Sequence, residues 1–180
     1  FEAMNAVAFK AHPYRRPIIG WMDDLEHMTV QDARDWYRQW YAPNNAYVVV
    51  VGDVDHREVF RLAQKLYGAQ RPHALPERKP QNEPEQAGIR RVSVKAPAKL
   101  PYLAMSWKAP KLRDVRNDRE PYALEVLASV LDGHDASRFA RNLVRGSRIA
   151  QSAGAGYDAT LRGEASFTID GQPAEGRSVA

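Results

Sequence analysis

Residues 71–86, RPHALPERKPQNEPEQ, decide how the chain is divided. Proline recurs at every fourth position, at Pro72, Pro76, Pro80 and Pro84. That spacing is close to one helical turn, yet no α-helix can run through it. Each proline lacks an amide donor, and its ring clashes with the preceding turn. The residues before them, Arg71, Leu75, Lys79 and Glu83, are driven toward extended conformations. The stretch is polar and has little to bury, so 71–88 reads as a semi-extended spacer.

Upstream of the spacer, Met4, Val7, Ala8 and Ala11 share one face of a helix. His12-Pro13 and Arg16-Pro17 end it, and HPYRRPIIGW follows as an ordered loop. Thr29 and Asp32 form a capping-box pair before TVQDARDWYRQWY, where Trp36 stands over Trp40 and Tyr37 over Tyr41. Pro43-Asn44-Asn45 turns the chain into AYVVVVG (46–52), a β-branched run without alternation, as in a strand buried on both faces. Asp55 caps the next helix with Glu58 as its reciprocal partner; Val59, Leu62, Ala63 and Leu66 form its stripe and Gly68 ends it.

Downstream the pattern restarts. IRRVSVKA (89–96) alternates like a half-solvated strand, and LPYLAMSW (100–107) is a second strand joined to it by a short loop. Asp118 can cap a helix that has Pro121 in its first turn. Tyr122, Val126, Leu127, Val130 and Leu131 are its expected buried side, with Gly133 at its end. A further helix is expected over 136–145, then strands near 150–159 and 163–170. The spacer therefore joins two α+β pieces. AEGRSVA at the end resembles the entry to another helix, and both ends read as truncated.

The 180 residues suffice for one ordinary domain or two small ones. With 44% apolar and 27% charged residues, the composition is that of a globular chain. No apolar run approaches a membrane span; the longest is Tyr47 to Val51. The first residues lack the basic leader and continuous apolar segment of a signal peptide. They also lack an initiator Met, so Phe1 is not expected to be the natural start. The absence of cysteine excludes disulfides and cysteine-ligated zinc, and leaves the redox compartment open. The net charge is +4 and the pI about 9.4, yet basic residues do not interleave with aromatics as in RNA-binding motifs. No nucleic-acid partner is expected.

HPYRRPIIGWMDDLEHMT, WYAPNNAYVVVVGDVD, VKAPAKLPYLAMSWKAP and YALEVLASVLDG together resemble the insulinase-like (pitrilysin) zinc metallopeptidases. The likeness is to the bacterial two-module members and runs from Ala8 to about Gly176. It implies α/β sandwich modules, with largely antiparallel sheets packed by helices, arranged as a clamp around a peptide substrate that can extend a sheet edge. Residues 1–70 would then be the C-terminal part of a first, zinc-bearing module, 71–88 the linker, and 89–180 most of a second module without zinc. The partners implied are a peptide substrate and the remainder of the same chain, with a homo- or heterodimer left open.

The zinc motif is the departure. The family carries H-x-x-E-H on a helix and a third ligand, a Glu, on a later one. Two His and a Glu hold zinc with one position for water, and the motif Glu deprotonates that water. None of His12, His27, His56, His73 and His134 lies in such a motif or has a second His four residues away. By family order the ligands would lie upstream of Phe1. No catalytic or metal residue is therefore assigned within 1–180, and no substrate-binding residue. Some relatives hold the substrate carbonyl with an Arg and, seven residues on, a Tyr. LVRGSRIAQ places Val144 and Gln151 at those positions, so the pair is not carried over. Arg145 is no substitute, because one helical step turns a side chain by about 100°.

Other candidates have simpler readings. His12, before Pro13, can bond free carbonyls at a helix end. Asp23, Asp24, Glu26 and His27 read as a solvated loop rather than a weak metal site. Arg138, Arg141, Arg145 and Arg148 could form a basic stripe toward an acidic substrate, a nucleic acid or a membrane. The favoured reading is the solvated side of a helix whose Phe139, Leu143 and Val144 face inward, since Gly146 and Ser147 weaken its continuation to Arg148. Trp36, Tyr37, Trp40 and Tyr41 read as core rather than a binding platform. Gly52-Asp53 is no phosphate loop, since no Gly-rich cradle or Gly-Lys-Ser/Thr surrounds it. The leading expectation is a zinc-peptidase segment that shapes the cleft without performing the chemistry; the alternatives are a non-catalytic partner subunit and a free-standing binding module. Bacterial periplasm or envelope and cytoplasm are equally open.

Overall fold

The computed structural model describes Phe1–Val179. Two compact units are present: Ile19–Pro80, and Phe1–Ile18 together with the chain from Gln81 onward. The division falls inside the proline-rich stretch, so 71–80 belong to one unit and 81–88 to the other.

The Ile19–Pro80 unit is helical. After the short helix α2 (Met22–Glu26), α3 (Val30–Trp40) starts at Thr29, whose side chain accepts from the Asp32 amide while Asp32 accepts from Thr29. The capping box expected from the sequence is present. Tyr37 and Tyr41 stack with ring centres 4.4 Å apart, whereas Trp40 carries the Arg78 guanidinium 4.6 Å above its ring. Helix α4 (His56–Tyr67) is capped by Asp55, which accepts from the Arg57 amide. Glu58 does not close the expected reciprocal pair; it binds Arg61 one turn on, at 2.5 and 2.8 Å.

Residues 46–52, expected as a buried strand, are neither paired nor buried. Tyr47 and Val51 are 97% and 91% exposed. A β-branched run specifies a strand only where neighbouring strands satisfy its amides, and no described residue pairs with this one. The same holds for 89–96, where Val94 is 63% exposed.

The other unit holds helix α1 (Glu2–Ala8), a three-stranded antiparallel sheet and helix α5 (Glu120–Asp132). The sheet order is β1 (Leu103–Ala109), β3 (Ala165–Pro173), β2 (Ala150–Tyr157), with the last strand in the centre. Trp107, Phe167 and Tyr157 lie in register across it, and Phe167, Ala165 and Ala159 are buried. Helix α5 packs on β2. It begins at Arg119 without a side-chain cap, because the Asp118 carboxylate accepts from the Arg113 and Asp114 amides of the preceding turn instead. Its inward positions are Pro121, Leu124, Ala128 and Leu131. Tyr122, Val126, Leu127 and Val130 are exposed, so the expected buried stripe is rotated around the helix. Glu125, Ser129 and Asp132 mark one polar side, but apolar residues cover the rest of the helix, and docking on β2 decides which of them turn inward.

Within the sheet-bearing unit the spacer is anchored through Glu83. The Glu83 side chain is 1% exposed and accepts from the consecutive amides of Lys10, Ala11 and His12 at 2.8–3.0 Å. Lys108 Nζ of β1 lies 3.3 Å away and also donates to the Pro84 carbonyl. Arg90 is 3.8 Å from the carboxylate and donates to the Val7 and Ala8 carbonyls at the end of α1. Burial opposes the charge on Glu83, but the His12, Lys10 and Ala11 amides and Lys108 outweigh it, holding its pKa down to about 2. A carboxylate whose folded pKa is depressed stabilises the fold above its unfolded value near 4.5, and that stability is lost as the pH falls toward 2. Glu83→Gln is expected to lower stability by roughly 2–3 kcal/mol at neutral pH. It should also flatten the loss of melting temperature between the two pKa values, as read by thermal unfolding across that range. An unchanged pH profile would show that the clamp does not stabilise the fold.

Candidate peptide-contacting segment

Backbone irregularities of the sheet-bearing unit concentrate between α5 and the middle of β2. After the short turn that holds Ser137, the chain re-enters a helix whose final part, Ala140–Gly146, is wound in π fashion. The Ser147 amide donates five residues back, to the Asn142 carbonyl at 2.9 Å, and the Ser147 hydroxyl reaches the same oxygen at 2.8 Å. Arg145 donates to the Asp135 carbonyl. Arg148 then has φ of +51°, the left-handed region that non-glycine residues seldom occupy. Strand β2 opens with a bulge: Ala150 faces Pro173 and Ser152 faces Gln172, leaving Gln151 as the extra residue. A bulge re-aims a side chain out of the strand alternation, and Gln151 is exposed.

The strand beyond the bulge is built of small residues, Ala153-Gly154-Ala155-Gly156. This brings α5 close, with the Asp132 carboxylate 3.4 Å from the Ala155 amide. Burial first, and the Asp170 carboxylate of the neighbouring strand second, push the Tyr102 pKa up to about 12. Tyr102 is therefore a neutral donor throughout the physiological range.

Val144 is half-buried on the π-wound turn and Gln151 is exposed on the bulge. Both positions where relatives place the carbonyl-holding pair thus fall on irregular backbone, with no guanidinium or phenol at either. Arg138, Arg141, Arg145 and Arg148 are all exposed, and Phe139, Leu143 and Val144 are half-buried, as the solvated-face reading requires. His12 Nδ1 accepts from the Tyr14 amide at 3.2 Å within a Phe9–His12–Tyr14 ring cluster, and so serves the turn after α1. Asp23 and Asp24 lie on α2 rather than in a loop, and His27 Nδ1 lies 2.7 Å from the Asp23 carbonyl. Trp36, Tyr37 and Tyr41, read as core, are 58–62% exposed; Trp40 is half-buried. Among the described residues no group of three or more His, Cys, Asp or Glu is placed to hold a metal ion. The bulge and the π turn have no signature in the sequence; Gly146 and the small-residue run Gly154–Gly156 are the only local hints.

The family described as "Peptidase M16 inactive domain" matches residues 27–179. This chain belongs to the M16, or insulinase-like, peptidase family. It is similar to the zinc protease PqqE of Helicobacter pylori, 32% identical over 81% of this chain and 33% of the relative. It is also similar to an uncharacterized zinc protease of Streptomyces coelicolor, 28% identical over 68% of this chain and 27% of that protein. The chain thus spans about a third of the length of these curated relatives. The crystal structure of a protease from Helicobacter pylori superposes with a TM-score of 0.83 at 28% identity, over 97% of this chain and 42% of the other. The ferredoxin protease FusC, solved with Arabidopsis ferredoxin, superposes with a TM-score of 0.63 at 17% identity, over 96% of this chain and 19% of the other. That last likeness is one of fold alone. No helix among the described residues is long and apolar enough to cross a membrane.

The register of β3 against the bulge requires glycine at 171. A methyl group built there would lie 2.6 Å from the Ser152 carbonyl oxygen and 3.3 Å from the Ala153 Cα. Gly171→Ala is expected to cost about 1–3 kcal/mol in urea unfolding, since strand backbone and not a flexible side chain must yield. Gly88→Ala meets nothing within 4 Å and serves as the neutral comparison. Equal stabilities for the two variants would show that the bulge register is not tightly set.

Proposed function

We propose that this chain is part of a zinc-dependent metalloendopeptidase that hydrolyses peptides in a clamp-like chamber, and that it supplies scaffold and cleft wall rather than the zinc site. One juxtaposition carries the reading. The chain matches the M16 inactive domain over 27–179 and resembles proteins named zinc proteases, yet its described residues offer no three-ligand group. Zinc belongs to the intact protein, on ligands supplied outside this chain. Residues 1–70 are the back of the zinc-bearing module, 71–88 the linker, and 89–180 most of the facing module. β1 pairs only with β3 among the described strands. Its second edge keeps free amides and carbonyls of the kind an extended peptide uses when it adds to a sheet. The ferredoxin complex of the FusC neighbour is in keeping with a polypeptide substrate.

The purified 1–180 chain is expected to show no chelator-sensitive cleavage of a quenched fluorogenic peptide, and the intact protein to cleave it and lose that activity to a chelator. Zinc-dependent turnover by 1–180 alone, free of contaminants, would overturn the assignment. An intact protein lacking H-x-x-E-H would instead be a non-catalytic partner subunit.

A further inference from the structure

We infer that the arginine-only segment from Ala136 to Tyr157 is a docking surface for acidic polypeptide, which sets a preference for substrates carrying Glu or Asp beside the cleft. The inference rests on the clamp reading above for what is docked, but not for where.

Charge distribution carries it. The chain has 26 basic and 22 acidic residues. Residues 136–157 contain Arg138, Arg141, Arg145 and Arg148 and no Asp, Glu or Lys. Removing these four leaves 22 basic against 22 acidic residues, so the whole net charge of +4 resides in this one stretch. Elsewhere among the described residues four cations have carboxylate partners, Arg38 with Asp35, Arg61 with Glu58, and Arg90 and Lys108 with Glu83, while others such as Arg34 and Arg57 have none; what marks the segment is four arginines in a run without an acidic residue. Among the described residues none of the four segment arginines has a carboxylate partner, and all four are exposed. Arg145 is engaged by the Asp135 carbonyl and Arg141 touches only the Asn142 side chain, at 3.3 Å.

The chemistry favours carboxylate. Every cation in the segment is a guanidinium, whose planar fork matches a carboxylate with two parallel hydrogen bonds. A membrane surface fits poorly, because the apolar residues of the same helix, Phe139, Leu143 and Val144, are turned inward and half-buried. A nucleic acid fits poorly too. Arg138 to Arg145 covers roughly 10 Å of helix, room for few phosphates, and no aromatic side chain is exposed in the segment to stack a base. Arg148, in the left-handed region, and Gln151, the bulged residue, are both exposed and follow the helix directly in the chain.

The test reads binding separately from turnover. The intact protein, with metal chelated so that no cleavage intervenes, is titrated into a fluorescein-labelled Glu-Ser repeat peptide and its Gln-Ser counterpart. The acidic peptide is expected to bind about tenfold or more tightly, with an advantage that shrinks as salt is raised. Arg138→Gln, Arg141→Gln and Arg148→Gln together should abolish that advantage and leave the Gln-Ser affinity in place. Should the triple variant fail to fold, Arg141→Gln alone is read, with Arg141→Lys recovering only part of the loss. Arg34→Gln with Arg57→Gln, on other helices, should change nothing. Equal affinity for the two peptides, an unaltered preference in the variants, or a loss shared by the Arg34/Arg57 control would each overturn the inference. So would tighter binding of a labelled single-stranded oligonucleotide or of anionic vesicles. If the peptidase assay fails while the acidic preference persists, the clamp reading falls and the docking surface stands.

Discussion

The buried carboxylate of Glu83 is the constraint on which the sheet-bearing unit depends. It sits in a polar stretch, and its hydrogen bonds to backbone amides, with the Lys108 bond to the Pro84 carbonyl, draw that stretch inward. Three successive amides beyond α1 converge on its oxygens, Lys108 approaches from β1, and Arg90 ties the same point to the end of α1. A buried charge is tolerable only when its lone pairs are all engaged. Here one anion closes three elements that are far apart in sequence: residues 10–12, the spacer and β1. The prolines on either side, Pro80 and Pro84, keep the backbone extended and supply no amides that would compete for the carboxylate.

With that end fixed, the sheet is organised from its last strand. β3 enters between β1 and β2 and takes the buried aromatic Phe167 with it, so the core exists only once residues 165–173 have arrived. The connection from α5 to β2 must then turn within a short span. It does so by π winding, a left-handed arginine and a bulge, three departures from regular backbone. Such departures persist only where surrounding packing determines them, and here α5 and β3 hold β2 from its face and its edge. The four arginines lie on the part of the fold that bends, while the Asp132 carboxylate reaches only its far end, at Ala155 of β2.

The sequence made several features legible because they are local. The Thr29–Asp32 box, the Asp55 cap, the Gly68 and Gly133 helix ends and the Tyr37–Tyr41 stack need only neighbours within a turn. The family likeness was legible for the same reason, as short runs in a fixed order. What failed was long-range. Residues 46–52 and 89–96 carry strand character without a described strand to pair with. Helix α5, apolar on all but one side, left its inward residues open, and the choice fell to Pro121, Leu124, Ala128 and Leu131 when β2 docked. Asp118 and Glu58 each found a better partner than the helix end beside them, an outcome decided by which amide or guanidinium stood nearer.

By itself the sequence determined the α+β class, the caps and stops of most helices, the family, and the absence of an H-x-x-E-H motif from these residues, because each follows from adjacent residues or their order. Only the tertiary structure decided that Glu83 is buried, that Gln151 is a bulge, that the last strand is the central one, and that the arginines of 138–148 stand without acidic partners. Those facts depend on which groups meet across the fold, and a buried charge or an irregular backbone is affordable only where distant segments have already been brought together to satisfy it.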